Sequence, residues 1–167
     1  MKNLLTAFLL LLLTGVTLRA QELAGTQVIV FVSPVCPICQ YYALPLRELH
    51  REFAPAGVEF LALAPGKQFT SGDLVDFREK YAIPFPVEAD VSGMHYTLKA
   101  RVTPEVFVLD REGTVIYSGR IDDSYAAVGK KRRVVTQHEL RDVLLHLQSK
   151  HTSSITSQPA IGCLIEK

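Results

Sequence analysis

The sequence predicts a three-layer α/β domain, a central mixed sheet flanked by helices. Three observations carry this. Two short, continuous runs of apolar and β-branched residues, "TQVIVFVS" (26–33) and "GVEFLALAP" (57–65), suit strands buried on both faces. Apolar residues at helical spacing lie between and after them. A late strand, turn and strand, "EVFVLD", "REG" and "TVIYSGRI", read as a hairpin turning at Gly113. The resulting order β-α-β-α-(β)-α-β-β-α makes the last two strands antiparallel. At 167 residues, 48% hydrophobic and 21% charged, the chain has the make-up of one globular domain with a sizeable core.

The N-terminus, "MKNLLTAFLLLLLTGVTLRA", has a positive Lys2, an apolar run from Leu4 to Val16 and a small Ala20 ahead of Gln21. This is the pattern of a secretory signal peptide over residues 1–20, with a run short of the roughly 20 residues a membrane span needs. The domain is expected over 21–150, followed by a tail, 151–167, that contains Cys163. The whole chain has 18 basic and 17 acidic side chains; without Lys2 and Arg19 the basic count falls to 16, a formal charge of −1. No charge excess points to nucleic acid or another polyanion. The mature chain is expected to be exported, periplasmic or otherwise extracytoplasmic, and without stable membrane insertion.

Along the domain, 26–33 is the first strand. "PICQYYALPLRELHREFA" then places Tyr42, Leu46, Leu49 and Phe53 three or four residues apart, a helix that Pro45 is expected to kink. Gly57 ends it and opens the second strand. "TSGDLVDFREKYA" puts Leu74, Phe77 and Tyr81 on one helical face behind polar cap residues. "FPVEAD" is a short strand and "GMHYTLKARV" a weak helix of about two turns. After the hairpin, "TQHELRDVLLHLQSK" opens with a Thr136 to Glu139 capping-box pattern. "DDSYAAVGKKRRVV" reads as a loop. In it Lys130, Lys131, Arg132 and Arg133 face Asp122 and Asp123, an arrangement that more often holds a loop in shape than recruits a partner.

Cys36 and Cys39 give the chain its chemistry. Cys36 falls at the end of the first strand, and Pro37 suits the first turn of the following helix, so Cys36 is expected near a helix N-cap. Free backbone N–H groups and the positive end of the helix dipole stabilise a thiolate there. Cys39 lies one turn on, placed to attack a mixed disulfide formed at Cys36. A CxxC also fits half a zinc site. The nearest second half, His146 with His151, would point about 140° apart on a helix.

With "VTPEVFVLD" at 102–110, the stretch "FVSPVCPICQYYALPL" resembles a thioredoxin-like domain of the redoxin (AhpC/TSA-like) kind over roughly residues 25–150. The resemblance implies a thiol-disulfide oxidoreductase that acts on protein disulfides without an organic cofactor. Its partners are thiol- or disulfide-containing proteins. Cys36 attacks, Cys39 resolves, and Thr103 and Pro104, joined by a cis bond, lie against the dithiol. Three departures from the family pattern stand out. Val30 holds the position of a buried Asp that aids proton transfer in thioredoxins. Pro37 and Ile38 replace Gly-Pro between the cysteines. Ile29 replaces the proline of the peroxiredoxin pattern P-x-x-x-T/S-x-x-C, although Ser33 and Cys36 fit its end.

The alternative is a copper(I) chaperone of the same fold, similar to Sco-type proteins. Soft thiolates would bind the metal, with His95 or His138 as third ligand. Cys163 is left with three readings: a regulatory disulfide with Cys36, a further metal ligand, or a lone thiol. The stretch from His151 to Cys163 spans up to about 40 Å, enough to reach the dithiol, and the apolar "PAIGCLI" within a polar tail suggests docking.

Overall fold

The computed structural model describes residues 23–149 and 156–166; the expected signal peptide, residues 1–20, and His151 lie outside them. Its central sheet has five strands: β1 (Gln27–Phe31), β2 (Glu59–Ala64), β3 (Val87–Ala89), β5 (Glu105–Leu109) and β6 (Val115–Gly119), in the order β3-β2-β1-β5-β6. β1 runs parallel to β2, and β2 to β3, while β1 with β5 and β5 with β6 are antiparallel. The sheet is mixed and the fold thioredoxin-like, as expected.

β1 is central because both its faces are apolar. Val28 and Val30 belong to one core cluster, with Ile38, Tyr42, Leu46 and Phe53 of α1 (Pro37–Phe53) and Leu140 and Leu144 of α4 (Glu139–Ser149). Ile29 and Phe31 belong to a second, with Leu63, Phe107 and Leu109. A short helix, α3 (Met94–Leu98), packs Met94 and Leu98 on this second cluster, joined by Ala100 and by Ile165 of the tail. The second face is thus covered in part by a residue the sequence leaves outside the domain.

α1 is continuous through Pro45. α2 (Ser71–Lys80) starts from a capping box between Thr70 and Asp73 and buries Leu74 and Phe77. Asp90 caps α3 by accepting from the backbone N–H groups of Met94 and His95 at 2.7 and 2.8 Å. α3 has five residues rather than the two turns expected.

Two expectations are corrected. The Thr136 to Glu139 capping box does not form. α4 begins at Glu139, the Thr136 hydroxyl donates to Asp123 at 2.7 Å, and the Glu139 carboxylate pairs with Arg120. Tertiary partners take both side chains from the local cap. The supposed loop 122–135 contains a short antiparallel ribbon, β7 (Tyr125–Ala127) with β8 (Lys130–Lys131). Two of its basic residues are tied down internally: Lys131 Nζ lies 3.9 Å above the Tyr41 ring, and Arg132 Nε is 3.9 Å from Asp123.

Candidate active site

Cys36 is the N-cap of α1, with extended backbone (φ −78°, ψ 116°), Pro37 in the first turn and no side-chain capping bond. The first-turn amides of α1 thus take no bond from the side chain at the N-cap. The carbonyl of Thr103 lies 3.3 Å from Cys36 Sγ, and the Thr103–Pro104 bond is cis. Glu105 is buried and folds back to accept the N–H of Arg101 at 2.7 Å, which stitches the turn around Thr103 and Pro104. All four residues singled out in the sequence thus meet at one end of the sheet: Cys36 and Cys39 on α1, Thr103 on β4 (Val102–Thr103), and Pro104 between β4 and β5.

Cys36 is bonded to Cys163, not to Cys39. The two α-carbons are 6.3 Å apart across 127 residues of chain. Cys163 arrives on a short strand, β9 (Cys163–Leu164), antiparallel to β4, with Thr103 opposite Cys163 and Val102 opposite Leu164. Upstream, the carbonyl of Gln158 accepts the N–H of Arg120 at 3.0 Å, and the Ser157 hydroxyl donates to the Ser118 carbonyl. Downstream, the N–H of Ile165 donates to the Arg101 carbonyl at 3.0 Å. Of the readings open for Cys163, the disulfide with Cys36 is the one formed.

Cys39 is a free, buried thiol. Burial pushes it up to about 12, against the smaller opposing pulls of the Ser33 N–H, 3.4 Å from Sγ, and the Thr103 side chain. Val30 lies wholly buried on β1 and offers no base. At neutral pH this sulfur is protonated.

The expected third metal ligands are engaged or exposed. His95 is buried, its Nδ1 2.5 Å from Asp90. His138 is exposed just ahead of α4. Among the described residues no group of three or more His, Cys, Asp or Glu is arranged to hold a metal ion. Sequence reasoning missed Glu105 and Gly162, and gave Asp122 only a charge-balancing role within its loop. Asp122 accepts from the Tyr42 hydroxyl at 2.6 Å and from the Ser124 N–H at 2.8 Å, both beside the tail. Only Gly162 carried a signal, its place inside the apolar "PAIGCLI".

Residues 3–118 match the model of the AhpC/TSA family. This chain belongs to that family. Its members at this level are thioredoxin-like redoxins, and the AhpC/TSA assignment agrees with the solved structures the chain is similar to. An uncharacterized conserved protein from Geobacillus kaustophilus is 24% identical, with 86% of this chain and 77% of that one covered at a TM-score of 0.75. A hypothetical protein from Sinorhizobium meliloti is also 24% identical, covering 86% and 80% at a TM-score of 0.74. A secreted Mycobacterium tuberculosis disulfide oxidoreductase homologous to E. coli DsbE is 19% identical, covering 78% and 85% at 0.51. At these identities the likeness speaks for the fold of this AhpC/TSA chain. Among curated proteins none matches it. Among the described residues no helix is long and apolar enough to cross a membrane.

Proposed function

We propose that this chain is an exported thiol-disulfide oxidoreductase acting on protein disulfides, with Cys36 as nucleophile, Cys39 as resolving thiol, and Thr103 and Pro104 shaping the surface on which the partner lies. Residues 1–20 direct export, 21–150 form the working domain, and 151–167 are an appended tail. The observation that carries the reading is the setting of Cys36. It sits at a helix N-cap beside the Thr103–Pro104 turn and shares a disulfide with a cysteine presented on a paired extended strand. A sulfur so placed is stabilised as a thiolate by backbone dipoles, which suits it, once reduced, to attack the disulfide of a partner. The reaction needs no organic cofactor, because the electrons move between sulfur atoms.

The test is a glutathione titration of the full chain, quenched with acid and followed by thiol labelling and mass spectrometry. A reversible two-electron couple at Cys36, between about −120 and −270 mV as in known CxxC oxidoreductases, is expected. A chain that never exchanges with glutathione at Cys36 would overturn the reading.

A further inference from the structure

The tail touches this end of the sheet at four of five successive positions, 161–165, Leu164 being the exception. Ile161 closes a crevice lined by Tyr42, Pro104, Ile121 and Tyr125. Gly162 passes so close beneath Thr103 that an added Cβ would lie 2.2 Å from the Thr103 carbonyl oxygen and 2.6 Å from its carbon. These are backbone atoms held by β4 and by Glu105, so they cannot swing aside as a side-chain end would. Cys163 bonds to Cys36. Leu164 points outward, 82% exposed, and Ile165 packs against the cluster of Ile29, Phe31, Leu63, Phe107 and Leu109. A second close approach lies upstream, where a Cβ on Gly119 (φ +147°) would meet the Gln158 carbonyl oxygen at 2.2 Å.

Such contacts specify a sequence. The position two before the cysteine is apolar, the one before it is glycine, the one after is free, and the one two after is apolar. We propose that residues 158–165 are a tethered substrate mimic. The groove of Thr103, Pro104 and Cys36 accepts from other polypeptides an extended segment of this same pattern, and the tail gives up the groove as the incoming cysteine takes its place on Cys36. This rests on the exchange chemistry proposed above. The displacement is redox-neutral. The thiolate of the incoming segment attacks Cys36 Sγ, the Cys36–Cys163 bond breaks, a mixed disulfide forms, and Cys163 departs as a thiolate that takes a proton from water.

The experiment uses the full chain carrying Cys163→Ser, reduced, with three probes whose cysteine is a mixed disulfide with thionitrobenzoate. They are the peptide Pro-Ala-Ile-Gly-Cys-Leu-Ile, the same peptide with valine in place of glycine, and glutathione. Attack by the Cys36 thiolate releases coloured thionitrobenzoate and leaves the peptide on Cys36, with one disulfide broken and one made. The glycine peptide should react about tenfold or more faster than the valine peptide, since overpacking against fixed backbone costs that much, whereas glutathione reacts whatever the groove prefers. The same series on the reduced wild-type chain guards against misfolding of the variant. Equal rates for both peptides, with glutathione reacting normally, overturn the groove specificity and leave the oxidoreductase reading standing. Failure of all three probes to react overturns the oxidoreductase reading itself. Oxidised wild-type chain found as a Cys36–Cys163 linked dimer would overturn the tether.

Discussion

Replacing Cys163 by Ser removes a cross-link that closes 127 residues of chain. In the chain-entropy account, a loop of that length takes about 16 cal/mol/K from the unfolded ensemble, or about 5 kcal/mol at 25 °C. The alternative pairing, Cys36 with Cys39, closes only three residues and by the same relation gives no more than about 2 kcal/mol. The magnitude therefore tells the two bonds apart. For a domain of this size the longer cross-link corresponds to a fall in melting temperature of about 10 °C or more, the shorter to a few degrees. The assay is thermal unfolding of wild type and Cys163→Ser, each with and without reductant. Reductant should lower the wild type by the larger amount, bring it near the variant, and leave the variant little changed. Oxidised and reduced wild type melting within a few degrees of each other would refute the argument, because no long loop would then be closed in the folded chain.

Three further outcomes follow from particular residues. Because burial pushes Cys39 up to about 12, iodoacetamide at pH 8 should alkylate it about a thousandfold more slowly than an ordinary thiol, with full labelling once urea unfolds the chain. Burial opposes ionisation of Asp123, yet hydrogen bonds from Thr136 and Gln137 and the charge of Arg132 bring its carboxyl down to about 2 from 3.8. Its stabilisation is thus present above the unfolded value and lost as pH falls from about 4 toward 2, and Asp123→Asn should flatten that limb of an acid titration followed by circular dichroism. Leu140, fully enclosed between α4 and the sheet, should cost about 2–5 kcal/mol as Ala, read from urea midpoints.

The fold was legible where residues speak for themselves. The runs at 27–31 and 59–64 are apolar on both faces, so burial and strand identity follow together, and Thr70 with Asp73 starts α2 by purely local bonds. Cys36 at the N-cap was readable from Pro37. Legibility failed where distant partners compete with local ones. Thr136 and Glu139 have the spacing of a capping box, but Asp123 and Arg120, brought close by the chain's return, bind them more strongly. The tail failed for the same reason: "PAIGCLI" shows a wish to be buried, but nothing local shows that Thr103 and Val102 offer the free strand edge it pairs with. The apolar setting of Gly162 hints at burial, but only the Thr103 carbonyl, once in place above it, shows why the position is glycine.

Cys39 and Cys163 both lie close to Cys36, and Cys163 is the one bonded to it. Cys39 is fixed one turn away on α1 but protonated, because the apolar surroundings that bury it oppose a thiolate. Cys163, half-buried, reaches Cys36 only while β9 is paired. On the proposed function, Cys39 is the thiol that remains within one turn of Cys36 once Cys163 is gone. In Cys163→Ser oxidised with glutathione disulfide, the mixed disulfide at Cys36 should give way to a Cys36–Cys39 bond, identified by peptide mapping. A chain that stops at the Cys36–glutathione stage would mean that Cys39 does not resolve, and that the second cysteine of the motif is a packing residue whose partner role has passed to the tail.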